Sequence, residues 1–217
     1  MLNYRIETAK RTPVFLLLGA HSDDIEIGCG GTLLGLVSNH PSARYVWVTF
    51  SADNRRETET RAAAARLLDG AAHVEILVER FRGSFFPYAG AELKDYFEGL
   101  KRFTPDLVFT HFRNDLHQDH RTINELTWNT FRDHAILEYE VPKFDGDLGI
   151  PNTYVPLTRA QLARKCDVLM NCFESQRARS WFTAETFQAL ARLRGIECNA
   201  PEGFAEAFYG RKLSLAL

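Results

Sequence analysis

Five short apolar runs recur along this chain, and a helix-length segment separates each from the next. They cover residues 14–19, 44–50, 73–78, 106–111 and 135–141. The first, VFLLLG, is apolar on both prospective faces, as a buried parallel strand should be. The second, RYVWVTF, is rich in β-branched and aromatic residues. Between them the spacing of Leu33, Leu34, Leu36 and Val37 predicts a helix over about 28–39. Asp53 is placed to cap a second helix through RRETETRAAAARLL, with Gly70 just past its end. Further helices are expected near 91–103 and 120–133. Alternating strands and helices imply a parallel sheet covered on both faces.

After the fifth run the chain reads as a long loop holding Pro142, Gly146, Gly149, Pro151 and Pro156. Two helices then close it. Thr158 and Gln161 form a capping box for the first, which carries Leu162, Cys166, Leu169 and Phe173 at helical spacing. Thr183 caps the second, Phe182 and Phe187 are set as a hydrophobic staple across that cap, and Gly195 marks the expected stop.

With 217 residues, 45% hydrophobic and 25% charged, the chain suffices for one sizeable core and forces no second domain. A formal net charge of −2 argues against a nucleic-acid or anionic-membrane partner, which needs a basic face. No apolar run approaches the roughly 20 residues that span a bilayer. The opening MLNYRIETAKRTP lacks the layout of a signal peptide. Cys29, Cys166, Cys172 and Cys198 show no close pairing and read as buried thiols of a reduced, cytoplasmic protein.

Where the first strand ends, the sequence reads GAHSDDIEIGCGG, residues 19–31; where the fourth ends, it reads HFRNDLHQDH, residues 111–120. Ligands of open α/β sheets bind beyond the carboxyl ends of the strands, so both clusters belong to one rim. They bring His21, Asp23, Asp24 and Glu26 towards His111, Asp115, His117, Asp119 and His120. Adjacent carboxylates at Asp23 and Asp24 repel each other, and a divalent cation offsets that repulsion. A catalytic zinc site takes three ligands from His, Asp and Glu and leaves a position for water. His21 and Asp24 can supply two, and a histidine of the other loop the third. The bland alternatives are a capping or core histidine at His21, a turn-capping Asp23, a surface His117, and a Glu26 that favours a helix start. GCGG fails the spacing of a dinucleotide loop and reads better as close packing of a helix on the sheet.

AHSDDIEIGCGG followed a hundred residues later by HQDH resembles the PIG-L/LmbE family of zinc-dependent N-deacetylases, in motifs commonly written AHPDDE and HxDH. Arg56, Glu59, Ala63, Ala64 and Leu67 fit a family pattern RxxExxxAAxxL, and FESQ (173–176) and AEAF (205–208) resemble its later signatures. Ser22 stands where proline is usual, and the loop after the third strand, Phe81-Arg82-Gly83-Ser84, lacks an acid that many relatives carry.

The resemblance implies one Rossmann-like α/β domain over 1–217, with a mainly parallel sheet and helices on both faces. It implies a Zn2+ ion on His21, Asp24 and His120, with Asp23 as general base. In this expectation a protonated His117, oriented by Asp119, holds the oxyanion, and Arg56, His111 and Asp115 face the substrate. The substrate is a small N-acetylated amino sugar or its conjugate; no nucleic-acid or membrane partner is expected, and relatives are often homo-oligomers. Arg56 paired with Glu59 on an exposed helix face is its bland reading, while His40, His73 and His134 read as structural or exposed. A metal-dependent phosphoesterase and a non-catalytic metabolite-binding module are the competing readings.

Overall fold

The structure, a computed structural model, describes residues 12–212, so the signal-peptide reading of the first residues falls almost wholly outside it. The elements run β1 (Val14–His21), α1 (Asp24–Asn39), β2 (Arg44–Ser51), α2 (Asn54–Leu67), β3 (His73–Val78), α3 (Gly90–Leu100), β4 (Leu107–His111), α4 (Gln118–Thr130), β5 (Ala135–Tyr139), β6 (Thr153–Leu157), α5 (Arg159–Cys172), α6 (Ala184–Glu197) and β7 (Phe204–Gly210). They build one sheet of order β3-β2-β1-β4-β5-β7-β6. The strands from β3 to β5 are parallel, and β7 runs antiparallel to both β5 and β6.

Side chains of β1 alternate between two cores. Phe15 and Leu17 join the layer under α1, α2, α5 and α6, which holds Leu33, Ala64, Leu67, Leu162 and Phe187. Leu16, Leu18 and Ala20 join the layer under α3 and α4, which holds Leu93, Phe97 and Ile123. Helices thus cover both faces, as the two-faced apolar strands require. Among the described residues no helix is long and apolar enough to cross a membrane. The four cysteines are unpaired, and three of them are buried.

The caps at Asp53, Thr158 and Thr183 form as expected, including the reciprocal Thr158–Gln161 box. Several boundaries differ. The expected loop over 142–157 contains β6, an edge strand that tolerates Pro156 because edges need fewer ladder donors. β7 was not anticipated at all. Helix α6 continues past Gly195; a Cβ there would sit 2.2 Å from the Gly203 carbonyl oxygen, so this glycine permits close approach rather than ending the helix. Helix α1 starts at Asp24, four residues early, and kinks at Cys29. Its glycines do serve packing: a Cβ on Gly28 would lie 2.1 Å from Tyr139 Cδ2, and one on Gly31 2.6 Å from Leu157 Cδ1.

Candidate metal centre and active site

Strands β1 and β4 are neighbours, yet the chain leaves them in opposite directions across the sheet, β1 towards β2 and β4 towards β5. A crevice opens at their carboxyl ends at such a switch point. His21 and His111 are the last residues of these two strands. Beyond β1 a two-residue turn puts Asp23 in the left-handed region, with φ 90°. Asp24 then opens α1 and accepts the His21 backbone N–H on Oδ2 at 2.7 Å. Beyond β4 the chain turns through Asp115 and enters α4 at Gln118, which His117 caps by accepting the Asp119 N–H on Nδ1.

The turns converge on the Asp24 carboxylate. Its Oδ2 lies 3.6 Å from His21 Nδ1 and 3.3 Å from His111 Nε2, and its Oδ1 lies 3.5 Å from His120 Nε2. Two sets of potential ligand atoms result, His21 with His117 and His120, and Asp24 with His111 and His120, each within 4.8 Å of one another. The trio expected from the sequence straddles them and shares His120.

The opposite nitrogens of two imidazoles are held by carboxylates: His21 Nε2 lies 2.9 Å from Asp119 Oδ2, and His120 Nδ1 2.8 Å from Asp115 Oδ2. Metal-bound histidines are characteristically oriented in this way. Ligand atoms about 3.3 Å apart are what a tetrahedral ion with bonds of about 2.0–2.1 Å requires. The residues therefore fit a divalent metal.

Charge follows from the same contacts. Burial opposes protonation of His21, but the Asp119 and Asp24 carboxylates outweigh it and push its pKa up to about 9. Burial and the neighbouring His111 ring push His120 down to about 4. Burial would raise the Asp24 carboxyl, yet His120 and His111 hold it well below the usual range. Burial pushes Asp23 up to about 7, against the pull of Arg56, whose Nη2 donates to Asp23 Oδ1 at 2.9 Å.

The other expected residues take different places. Arg56 also donates to the Ser22 carbonyl and does not pair with Glu59, which instead accepts from the Ser175 N–H at 2.9 Å. Asp119 does orient a histidine, but it is His21; its two oxygens also receive the N–H groups of Ser84 and Phe86. His117 is not held protonated, because burial and the positive His21 lower its pKa. With Nδ1 accepting a backbone N–H, its proton resides on Nε2. His111 and Asp115 were expected to face substrate, but they are 0% and 2% exposed. His111 stacks on His120 with ring centroids 3.9 Å apart, and its Nε2 accepts the Ala20 N–H.

Sequence reasoning missed three supports of the site. Asn124 donates to the His111 carbonyl at 2.7 Å and stands one helical turn beyond His120, so helical spacing carries its signal. Tyr139 pairs with His111 in the sheet register and donates to the Leu18 carbonyl at 2.6 Å, which becomes legible only once β5 is set beside β4. Lys143 follows β5 and lies 3.0 Å from Asp115 Oδ1; no local pattern marks it.

No curated protein matches the chain. Among solved structures, the conserved protein TT1542 from Thermus thermophilus superposes with a TM-score of 0.69 at 20% identity, over 94% of this chain and 96% of that one. The N,N'-diacetylchitobiose deacetylase from Pyrococcus horikoshii gives 0.66 at 21% identity, over 93% and 85%. GalB, the 4-carboxy-2-hydroxymuconate hydratase from Pseudomonas putida KT2440, gives 0.72 at 15% identity, over 95% and 100%. These similarities establish a shared fold. In sequence, the GlcNAc-PI de-N-acetylase (PIG-L) model matches residues 16–131, more than half of the chain and every candidate site residue from His21 to His120. The chain belongs to the GlcNAc-PI de-N-acetylase (PIG-L) family.

Proposed function

We propose that the protein is a zinc-dependent amide hydrolase that removes the acetyl group from an N-acetylated amino sugar or sugar conjugate. The observation that carries this reading is the Asp24 carboxylate set between His21 Nδ1 and His120 Nε2, with Asp23 beside it balanced near neutrality. His21, Asp24 and His120 hold the metal. When bound, zinc supplies Lewis acidity, polarising an acyl carbonyl and bringing the pKa of water to about 7.

The remaining roles belong to the chain's own side chains. Asp23 takes a proton from the attacking water, and a pKa of about 7 suits a general base at neutral pH. The same carboxyl then returns a proton to the departing amine. Neutral His117 donates its Nε2–H to the acyl oxygen as negative charge develops there. Arg56 works through Asp23, fixing its carboxylate rather than reaching for the sugar. Asp119 and Asp115 aim His21 and His120, and His111 packs beneath His120. A reducing, cytoplasmic setting completes the proposal and suits the buried thiols of Cys29, Cys166 and Cys198.

Hydration is the second reading, raised by a 4-carboxy-2-hydroxymuconate hydratase that shares the fold at 15% identity; a shared fold does not by itself assign the reaction. Mass spectrometry after incubating the zinc-loaded protein with N-acetylated sugars, unsaturated hydroxy acids and phosphate esters separates the readings. Loss of one acetyl unit from a sugar supports the proposal. Gain of water by an acid with every acetamide intact overturns it.

A further inference from the structure

We infer that Lys143 is a positioning residue of the metal site, acting on His120 through Asp115. The inference rests on the reading of His21, Asp24 and His120 as ligands. Lys143 lies between β5 and β6, outside both motif loops. Its side chain is only 9% exposed, and Nζ sits 3.0 Å from Asp115 Oδ1 and 2.5 Å from Asp147 Oδ2. Asp147 also accepts the Leu116 N–H at 2.7 Å, which ties the segment after β5 to the loop after β4.

Asp115 joins this network to the histidine. Its Oδ1 accepts the His117 N–H at 2.8 Å and faces the lysine, while its Oδ2 faces His120 Nδ1 at 2.8 Å. With Oδ1 occupied twice, the carboxylate plane is fixed and Oδ2 is left to the imidazole. An imidazole that donates from Nδ1 presents the lone pair of Nε2, and this nitrogen is the one 3.5 Å from Asp24 Oδ1. Without the ammonium, Asp115 and Asp147 are two buried carboxylates with no cation between them. They must separate or acquire protons, and either change frees the His120 ring to turn. Nζ bonds within its own segment, to Asp147 and to the Val141 carbonyl at 3.4 Å, but it also crosses to Asp115, the carboxylate behind a ligand, and that crossing contact is the one a purely local role would not need.

The test measures metal binding, so it does not depend on knowing the substrate. Zinc affinity by chelator competition and the visible spectrum of the cobalt-substituted protein are compared for the wild type, Lys143→Met, Lys143→Arg and Asp145→Asn. Lys143→Met is expected to bind zinc several-fold more weakly, up to about 10-fold, and to shift the cobalt bands. This is the low end of the effect of losing the partner that touches a metal ligand, because Lys143 acts one step further out through Asp115. Lys143→Arg keeps a cation between the carboxylates and restores most of the affinity. Asp145→Asn is the control, because Asp145 is 3.9 Å from Nζ and 40% exposed; it should bind like the wild type. If Lys143→Met does not fold, Lys143→Gln replaces it with a neutral donor, and the same weakening is expected. A wild type that binds neither ion overturns the metal site and the inference together. A wild type that binds while Lys143→Met matches it in affinity and spectrum overturns the inference alone.

Discussion

Asp23 holds a φ of 90°, a conformation that disfavours a side-chain-bearing residue by about 1–3 kcal/mol and persists where surroundings enforce it. The Arg56 bond and the adjoining Asp24 do so here, and in the proposed reading the strained turn aims neighbouring carboxylates at different tasks. Asp23→Asn should keep its metal and lose about 10²–10⁴ in kcat/KM, the span of general-base assistance. Asp24→Asn should lose both metal and activity, since a neutral amide replaces the anion between two imidazoles. Metal content and kcat/KM of the two variants decide this, and reversed phenotypes would reverse the roles. Arg56 favours the ionised form of Asp23, so Arg56→Ala should raise the Asp23 pKa above about 7. The acidic limb of the kcat/KM profile then moves to higher pH, with KM little altered. A raised KM on an unmoved profile would restore the expected sugar contact. Which loops form the site is legible in the sequence, because His and Asp cluster after two strands. Partner choice is not: Asp119 stands two residues from His117 but serves His21, 98 residues away. Chain separation says nothing about which ring a folded carboxylate meets.

Helix α1 shows the same limit at the scale of an element. Its kink at Cys29, with φ −144°, breaks the helical ladder and exposes the N–H groups that begin its second half. Glu206 of β7 receives two of them, from Gly31 at 2.9 Å and Thr32 at 2.6 Å, and pairs with buried Lys165 of α5 at 2.6 Å. A strand thus caps a helix, and no local capping pattern foretells it. Glu206→Ala should lower stability by about 3–5 kcal/mol, because it uncaps the helix and strands a buried ammonium; thermal unfolding measures it. A loss under about 1 kcal/mol would mean that water replaces the carboxylate without penalty. Strands β1 to β5 were legible because their apolar runs face two cores. Strands β6 and β7 were not. The first is short, carries a proline and lies at the edge, while β7, FAEAFYG, carries alanine and a buried glutamate in place of a β-branched run.

For the whole molecule, the proposed metal site couples folding to pH. Without an ion, His21 holds its proton up to about pH 9, against an ordinary value of 6.5. A group whose pKa is raised by folding stabilises the fold below its unfolded value and ceases to as pH climbs through its folded one. Metal-free protein should therefore lose stability between pH 6.5 and about 9. Other groups act lower. His120, pushed down to about 4, adds stability as pH rises to 6.5, and Asp23, pushed up to about 7, removes stability up to that point. Burial also holds the Glu26 carboxyl well above the usual range, which removes stability with rising pH in the same direction; the His21 change above pH 7 is an effect of up to about 3 kcal/mol. Zinc needs His21 neutral, so loading at pH 7.5 should expel about one proton per ion. The loaded protein has no such proton to lose, and its melting temperature should exceed that of the chelated form by a margin that widens from pH 7 to 9. Calorimetric titration of zinc in buffers of different ionisation enthalpy reads the proton, and paired thermal melts read the margin. Loading without proton release, or a chelated form whose melting temperature is flat across this window, would show that Asp119 and Asp24 do not hold His21 charged and that the site stands ready for the metal at neutral pH.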